Sequence, residues 1–162
     1  MGHGPSTDFA SPLDLLHRAG VQADSLFLSH VGDAGLTPRQ FAVLKAVSQA
    51  DGLNQTAIMA ATGIDRSSTA ELVRRLVSSG ALQRRRKKRD ARQYAVRLTP
   101  KGRELVMLGG RAARQADETL LSRMPRQLRV PFLEALKLLT KTDAGAEGAK
   151  APPAKPRTSA IG

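Results

Sequence analysis

The sequence predicts a mainly α-helical fold that carries one small β-hairpin. Capping residues precede several segments whose apolar residues recur at helical spacing, and proline follows three of these caps. Late in the chain, two short strand-like stretches flank a run of basic residues. The length of 162 residues fits one globular domain with loose ends.

Serine or threonine followed by proline marks the start of each of the first two helices, at Pro12 and at Pro38. Glycines in residues 32–35 and 51–52 end these helices. Residues 1–10 are mostly small and polar, so we expect a flexible N-terminus.

The next two helices form a helix-turn-helix unit over residues 55–79, with a short turn around Gly63. Asp65 is the expected N-cap of the second helix, and Gly80 ends it. The second helix of such a unit can enter the major groove of DNA. Its first turn offers polar side chains for base edges or phosphates, namely Arg66, Ser67, Ser68 and Thr69.

Some of these polar residues also have a purely structural interpretation. The hydroxyl residues after Asp65 can serve as capping residues instead of contacting DNA. Arg74 and Arg75 can contact phosphate, or they can pair with Glu71 at helical spacing of three and four.

Residues 84–92 contain seven basic residues and one acidic residue, which supply +6 of the formal net charge of +12. The run lies between predicted strands at residues 81–83 and 93–98, so it is expected to form the tip of a two-stranded ribbon. Residues 37–99 together carry a net charge of +9. This distribution indicates a polyanionic partner, and duplex DNA is the commonest one.

A long helix is predicted from Pro100, with two adjacent glycines at residues 109–110 that imply close packing or a bend. A last helix is predicted after Pro125. Pro131 either kinks this helix or marks its true start, because proline lacks a backbone N–H. Residues 143–162 are rich in Ala, Pro, Gly and Lys and are predicted to be a disordered tail.

Five segments, taken in this order, resemble the MarR family of winged helix-turn-helix transcriptional regulators: LTPRQF (36–41), TGIDRSS (62–68), LVSSGAL (76–82), DAR (90–92) and LTPKG (98–102). The resemblance covers about residues 11–142. It implies a dimer, with a DNA-binding region at 37–99 and a helical dimerisation region at 11–36 and 100–142. Family members are often repressors that release DNA when they bind a small phenolic or aromatic molecule.

The resemblance also assigns roles in the wing. In the family pattern Asp-x-Arg, the arginine enters the minor groove and the aspartate holds it, which corresponds to Arg92 and Asp90 here. The basic residues that precede Asp90, Arg86 and Lys88 among them, are interpreted as added phosphate contacts. The full predicted set of DNA-binding residues is Gln55, Arg66, Ser67, Ser68, Thr69, Arg74, Arg75, Arg86, Lys88, Asp90 and Arg92.

The dimer interface and the effector site follow from the same resemblance. Apolar residues near both ends of the chain are expected at the interface: Leu13, Leu16, Leu133, Leu136 and Leu139. His17, Phe27 and His30 lie in or near the region where the family binds its effector, although ordinary surface histidines and a core phenylalanine are the favoured interpretation of each. Arg111 and Arg114 are compatible with an anionic effector, such as an aromatic acid or its coenzyme A thioester, although ordinary surface arginines are the favoured interpretation.

The sequence therefore predicts a ligand-responsive, dimeric DNA-binding regulator, acting as a repressor on a pseudo-palindromic operator. The alternative is an architectural nucleic-acid-binding protein that tolerates many sequences and has no effector. With no cysteine and three scattered histidines, neither catalysis nor a metal or other cofactor is expected. No long apolar run or secretory signal is apparent, so a cytoplasmic location is expected.

Overall fold

The computed structural model describes residues 11–50, 52–87 and 90–141, without the side chains of residues 86–93. This part contains α1 (Pro12–Val31), α2 (Pro38–Ser48), α3 (Gln55–Thr62), α4 (Arg66–Ser78), β1 (Leu82–Lys87), β2 (Asp90–Leu98), α5 (Pro100–Ser122) and α6 (Arg126–Leu139). The mainly α-helical fold class with one hairpin is confirmed. The predicted flexible N-terminus, 1–10, and the predicted tail, 143–162, lie outside the described residues.

Local capping sets the helix starts, as the sequence predicts. The hydroxyls of Ser11, Thr37 and Thr99 each accept a hydrogen bond from the amide three residues later, at 3.1, 3.2 and 3.1 Å. The carboxylate of Asp65 accepts the corresponding amide of α4 at 2.9 Å. These bonds satisfy amides that have no partner within their own helix.

The chain divides after Arg123 into two compact units. In the first unit, α1 and α2 pack along α5, and α2 also contacts α3, α4 and β2. One apolar cluster joins these elements, with members that include Phe27, Leu44, Ile58, Val73, Leu82 and Val96. The helix-turn-helix unit and the hairpin therefore share one core with the first part of α5.

Gly109 allows α5 to approach α2 closely. An added Cβ at Gly109 would lie only 2.3 Å from a ring carbon of Phe41, whereas one at Gly110 would meet nothing closer than 3.9 Å. The Phe41 ring stacks on Phe27 with centroids 5.4 Å apart, so it has little freedom to move. Close packing therefore explains Gly109 but not its neighbour.

The hairpin extends further than the sequence predicts. Strands were expected at 81–83 and 93–98, but β1 continues to Lys87 and β2 starts at Asp90. Most of the basic run therefore lies within paired strands and not in a turn. Cross-strand pairing supplies backbone hydrogen bonds that outweigh the weak strand preference of basic residues. On its other edge, β2 pairs with Leu53 through two backbone bonds of 3.2 and 2.8 Å.

The second unit contains α6, which begins at Arg126 and continues through Pro131. The alternative that this helix starts at Pro131 is wrong. The proline leaves the carbonyl of Gln127 without its usual intrahelical donor. Because α6 is exposed along much of its length, solvent can hydrogen-bond this carbonyl.

Candidate nucleic-acid interface

The helix-turn-helix unit consists of α3 and α4, joined by a tight turn. Gly63 ends α3 with φ +69°, a left-handed conformation that glycine adopts without strain. Ile58 on α3 and Val73 on α4 are both fully buried, which fixes one helix against the other. The first turn of α4 is left on the surface at Arg66 and Ser67.

The polar residues at the start of α4 have different roles. Arg66 is exposed and forms no hydrogen bond or ion pair within the described part of the chain. The hydroxyl of Ser67 donates to Asp65 at 2.7 Å, and Ser68 donates its amide to the same oxygen. Hydrogen bonds from Ser68, and then from Ser67, hold the pKa of Asp65 well below its usual range. These contacts support a capping role for both serines.

Thr69, which the sequence offers as a polar side chain for base edges or phosphates, does not lie on the surface of α4. Its side chain is fully buried, and its hydroxyl donates to the carbonyl oxygen of Ile64 at 3.2 Å. Thr69, Val73 and Leu76 follow the spacing of one helical face, and all three face the core. Thr69 is therefore removed from the set of DNA-binding candidates.

Glu71 pairs with both Arg74 and Arg75, as one of the sequence alternatives predicts. Oε2 of Glu71 accepts from Nε of Arg74 at 3.0 Å, and Oε1 accepts from Nε of Arg75 at 2.6 Å. Hydrogen bonds from Arg74 and Arg75 lower the pKa of Glu71. The arginine side chains remain 70% and 68% exposed, so the pairing orients them without removing them from the surface.

The hairpin places Arg84 and Arg85 on the surface of β1. Residues 86, 90 and 92 lie within the strands, but their side chains, like all of Lys88, lie outside the described residues. The predicted pair of Asp90 and Arg92 therefore stays a prediction.

An open groove of about 570 Å³ lies between the hairpin and the helix-turn-helix unit. Its lining residues are Leu53, Asn54, Gln55, Thr56, Arg66, Val73, Arg84, Tyr94 and Val96. Gln55 and Arg66 were predicted from the sequence as DNA-binding residues. Arg84 belongs to the basic run that was interpreted as phosphate contacts, whereas Tyr94 was not predicted; the register of the hairpin brings both to this side.

The start of α5 is fastened to the end of α4. Thr99 donates its hydroxyl to the carbonyl of Gly80 at 2.6 Å, and Lys101 donates to the carbonyl of Ser79 at 2.8 Å. At Gly102 an added Cβ would lie 2.1 Å from the carbonyl oxygen of Ala81. The N-terminal end of α5 is therefore held against the segment that ends and follows α4.

Two further grooves border α5. One, of about 570 Å³ between α2 and α5, includes Phe41, Lys45, Arg111, Arg114 and Asp117 in its lining. The other is smaller, about 150 Å³, and lies between α1, α2 and α5.

The four predicted effector residues do not converge on one site. Arg111 lines only the larger of these two grooves and Phe27 only the smaller one, while His17 and His30 are exposed and line neither. Sequence analysis missed Lys45, which joins two arginines only once α2 is packed on α5.

Within the described ranges, no group of three or more His, Cys, Asp or Glu side chains is arranged to hold a metal ion. No described helix is long and apolar enough to cross a membrane.

Comparison with known proteins agrees with this geometry. Residues 34–93 match the model of the MarR family. A putative transcriptional regulatory protein for the hcr operon of Thauera aromatica is 28% identical over 110 residues. The match spans 68% of this chain and 66% of that protein, slightly less than two thirds of its length.

Solved structures extend the likeness to most of the described chain. The repressor CouR, bound to a 23-mer DNA duplex, is 29% identical, with a TM-score of 0.73 over 81% of this chain and 93% of its own. BpsR of Bordetella bronchiseptica, whose DNA binding is regulated by 6-hydroxynicotinic acid, is 28% identical, with a TM-score of 0.71 over 78% of this chain and 96% of its own. Residues 34–93 are thus similar to the MarR family, and the described chain is similar in fold to solved transcriptional regulators.

Proposed function

We propose that this chain is a homodimeric repressor that binds a pseudo-palindromic operator and releases it when a small aromatic or anionic effector binds. The observation that carries the proposal is the exposed first turn of α4 beside a basic two-stranded wing, both built on the same core. In this arrangement α4 enters the major groove, and the wing reaches the adjacent minor groove.

The proposed DNA contacts follow from exposure and charge. Arg66, Gln55 and the two arginines paired to Glu71 lie on the surface of the helix-turn-helix unit. Ser67 and Ser68 support the start of α4 and hold its cap. On the wing, Arg92 is the proposed minor-groove residue, Asp90 its support, and Arg86 and Lys88 added phosphate contacts.

Dimerisation is proposed through 11–36 and 100–142. In α1, Leu13 and Leu16 are 76% and 45% exposed, and in α6, Leu133 and Leu139 are 42% and 67% exposed. So many exposed leucines on two helices are unusual for a monomer, and a second copy of this chain would cover them. A two-fold dimer would place its two α4 helices in successive major grooves.

The proposed effector site is the groove between α2 and α5. Phe41 supplies an aromatic wall. Lys45, Arg111 and Arg114 outnumber the one carboxylate of the lining, Asp117, and supply net positive charge for an acid or for the phosphates of a coenzyme A thioester. Regulation of BpsR by 6-hydroxynicotinic acid supports an aromatic acid as the class. The start of α5 is hydrogen-bonded to the segment at the end of α4. A ligand that shifts α5 would therefore change the distance between the α4 helices of the two protomers.

The charge of the wing favours a second candidate, an architectural protein that coats nucleic acid without an effector. A binding assay on the DNA upstream of the chain's own gene, against a random duplex, separates the two candidates. The repressor prefers the upstream DNA at near-physiological salt and releases it with an aromatic acid or thioester. The architectural protein binds both duplexes equally, with a steep salt dependence.

A further inference from the structure

The groove between α4 and the hairpin has a geometric role that follows from the shape of duplex DNA. The major and minor grooves of a duplex are separated by one sugar-phosphate strand. A protein that places a helix in one groove and a wing in the next must therefore straddle that strand. The space between α4 and the hairpin is where the strand would pass.

The lining of this groove suits a phosphodiester. Arg66 enters it from the first turn of α4, and Arg84 enters it from β1, on the opposite wall. Neither guanidinium forms a hydrogen bond or ion pair with any described residue, whereas Arg74 and Arg75 are both held by Glu71. Two uncommitted guanidinium groups that face one open channel are a strong attraction for a phosphate chain.

The register of the hairpin explains why Arg84, and not its neighbour, lines the groove. Arg84 pairs with Val96, and Val96 is buried on the side of the hairpin that faces the core. Residues that lie directly opposite each other on paired strands share a face of the ribbon. Arg84 therefore lies on the same face as Val96, although its side chain is exposed whereas that of Val96 is buried. Arg85 pairs with Ala95 and lies on the opposite face of the ribbon.

We propose that this groove binds the sugar-phosphate strand between the two DNA grooves, with Arg66 and Arg84 contacting its phosphates from opposite sides. The inference rests on the proposed function and deepens it. Arg66 then contributes affinity that is independent of base sequence, although it stands at the first position of the recognition helix.

The test measures the affinity of the full chain for its own upstream DNA and for a random duplex, across a range of salt concentrations. Arg66→Ala and Arg84→Ala are compared with wild type and with Arg85→Ala, which removes the same charge from the other face of β1. Each lost phosphate contact is expected to reduce the slope of log K against log salt by about 1. The wild-type to variant affinity ratio should then fall about threefold per lost contact as salt rises from about 50 to 200 mM.

The expected result is an equal loss of affinity for both duplexes in Arg66→Ala and Arg84→Ala, a smaller loss in Arg85→Ala, and partial rescue in Arg66→Lys. A loss confined to the upstream DNA in Arg66→Ala means that Arg66 reads a base, and it overturns the inference. Equal losses in Arg84→Ala and Arg85→Ala also overturn it, because the wing charge then acts only diffusely. If wild type itself shows no preference for the upstream DNA, the proposed function fails first.

Discussion

Replacing Gly109 with alanine is expected to destabilise the protein, while the same change at Gly110 is expected to stabilise it. Both residues lie within α5, where alanine is preferred over glycine by about 0.8–1 kcal/mol. At Gly110 the added methyl group meets only a guanidinium nitrogen of Arg114 at 3.9 Å, so this preference is the main effect. The expected gain is about 0.5–1 kcal/mol.

At Gly109 the methyl group would lie 2.3 Å from the Phe41 ring, more than 1 Å inside an ordinary carbon–carbon contact. The ring is stacked on Phe27 and borders the groove between α2 and α5, so a shift that relieves the clash would disturb this stacking. Overpacking of this kind costs about 1–3 kcal/mol, and a contact this short belongs in the upper half of that range. After the helix-propensity gain is subtracted, a net loss of about 1–2 kcal/mol is expected.

Urea or thermal unfolding of the two variants, at equal chain concentration, measures this difference. Each kcal/mol should move the melting temperature by about 2–4 °C, so the two shifts have opposite signs and are easily separated. If Gly109→Ala is as stabilising as Gly110→Ala, the close approach of α5 to α2 is refuted.

Three further predictions concern charge. Arg92→Ala should weaken DNA binding while leaving the dimer intact by light scattering; unchanged binding contradicts the role given to the wing. Glu71→Gln should release Arg74 and Arg75 and raise the affinity for random duplex. The slope of log K against log salt should steepen by about 1 per protomer. Glu118→Gln is the control and should match wild type. The pKa of Asp65 is lowered in the folded state, so its contribution to stability is present at neutral pH and is lost as pH falls below about 4. Asp65→Asn should therefore show a smaller decline in urea midpoint between about pH 6 and pH 3, and an identical decline speaks against the cap.

The helix starts could be predicted from the sequence because each depends on local contacts. Ser11, Thr37 and Thr99 each cap a helix by bonding to the amide three residues later, so the residues involved are close together in the sequence. The helix-turn-helix unit and the order of elements follow from the same signals. Gly109 was correctly expected to reflect close packing or a bend, although only the position of Phe41 decides between them.

The remaining features depend on contacts between distant parts of the chain. The strands extend into the basic run because each strand provides the other with a partner, which the composition of either one does not reveal. Arg84 lines the groove beside α4 only because the hairpin packs next to the helix-turn-helix unit. Lys45 lines the groove with Arg111 and Arg114 only because α2 packs on α5. The burial of Thr69 was accessible to sequence analysis, since it precedes Val73 by four residues on the apolar face of α4.

The central claim is that a dimer of this chain recognises one DNA sequence through α4 and the wing. Its most direct test is a titration of the full chain against the DNA upstream of its own gene and against a shuffled duplex of the same composition, at near-physiological salt. The account predicts a clear preference for the upstream DNA, at two chains per site, and loss of that complex with an aromatic acid or its thioester. Equal affinity for the two duplexes would contradict it.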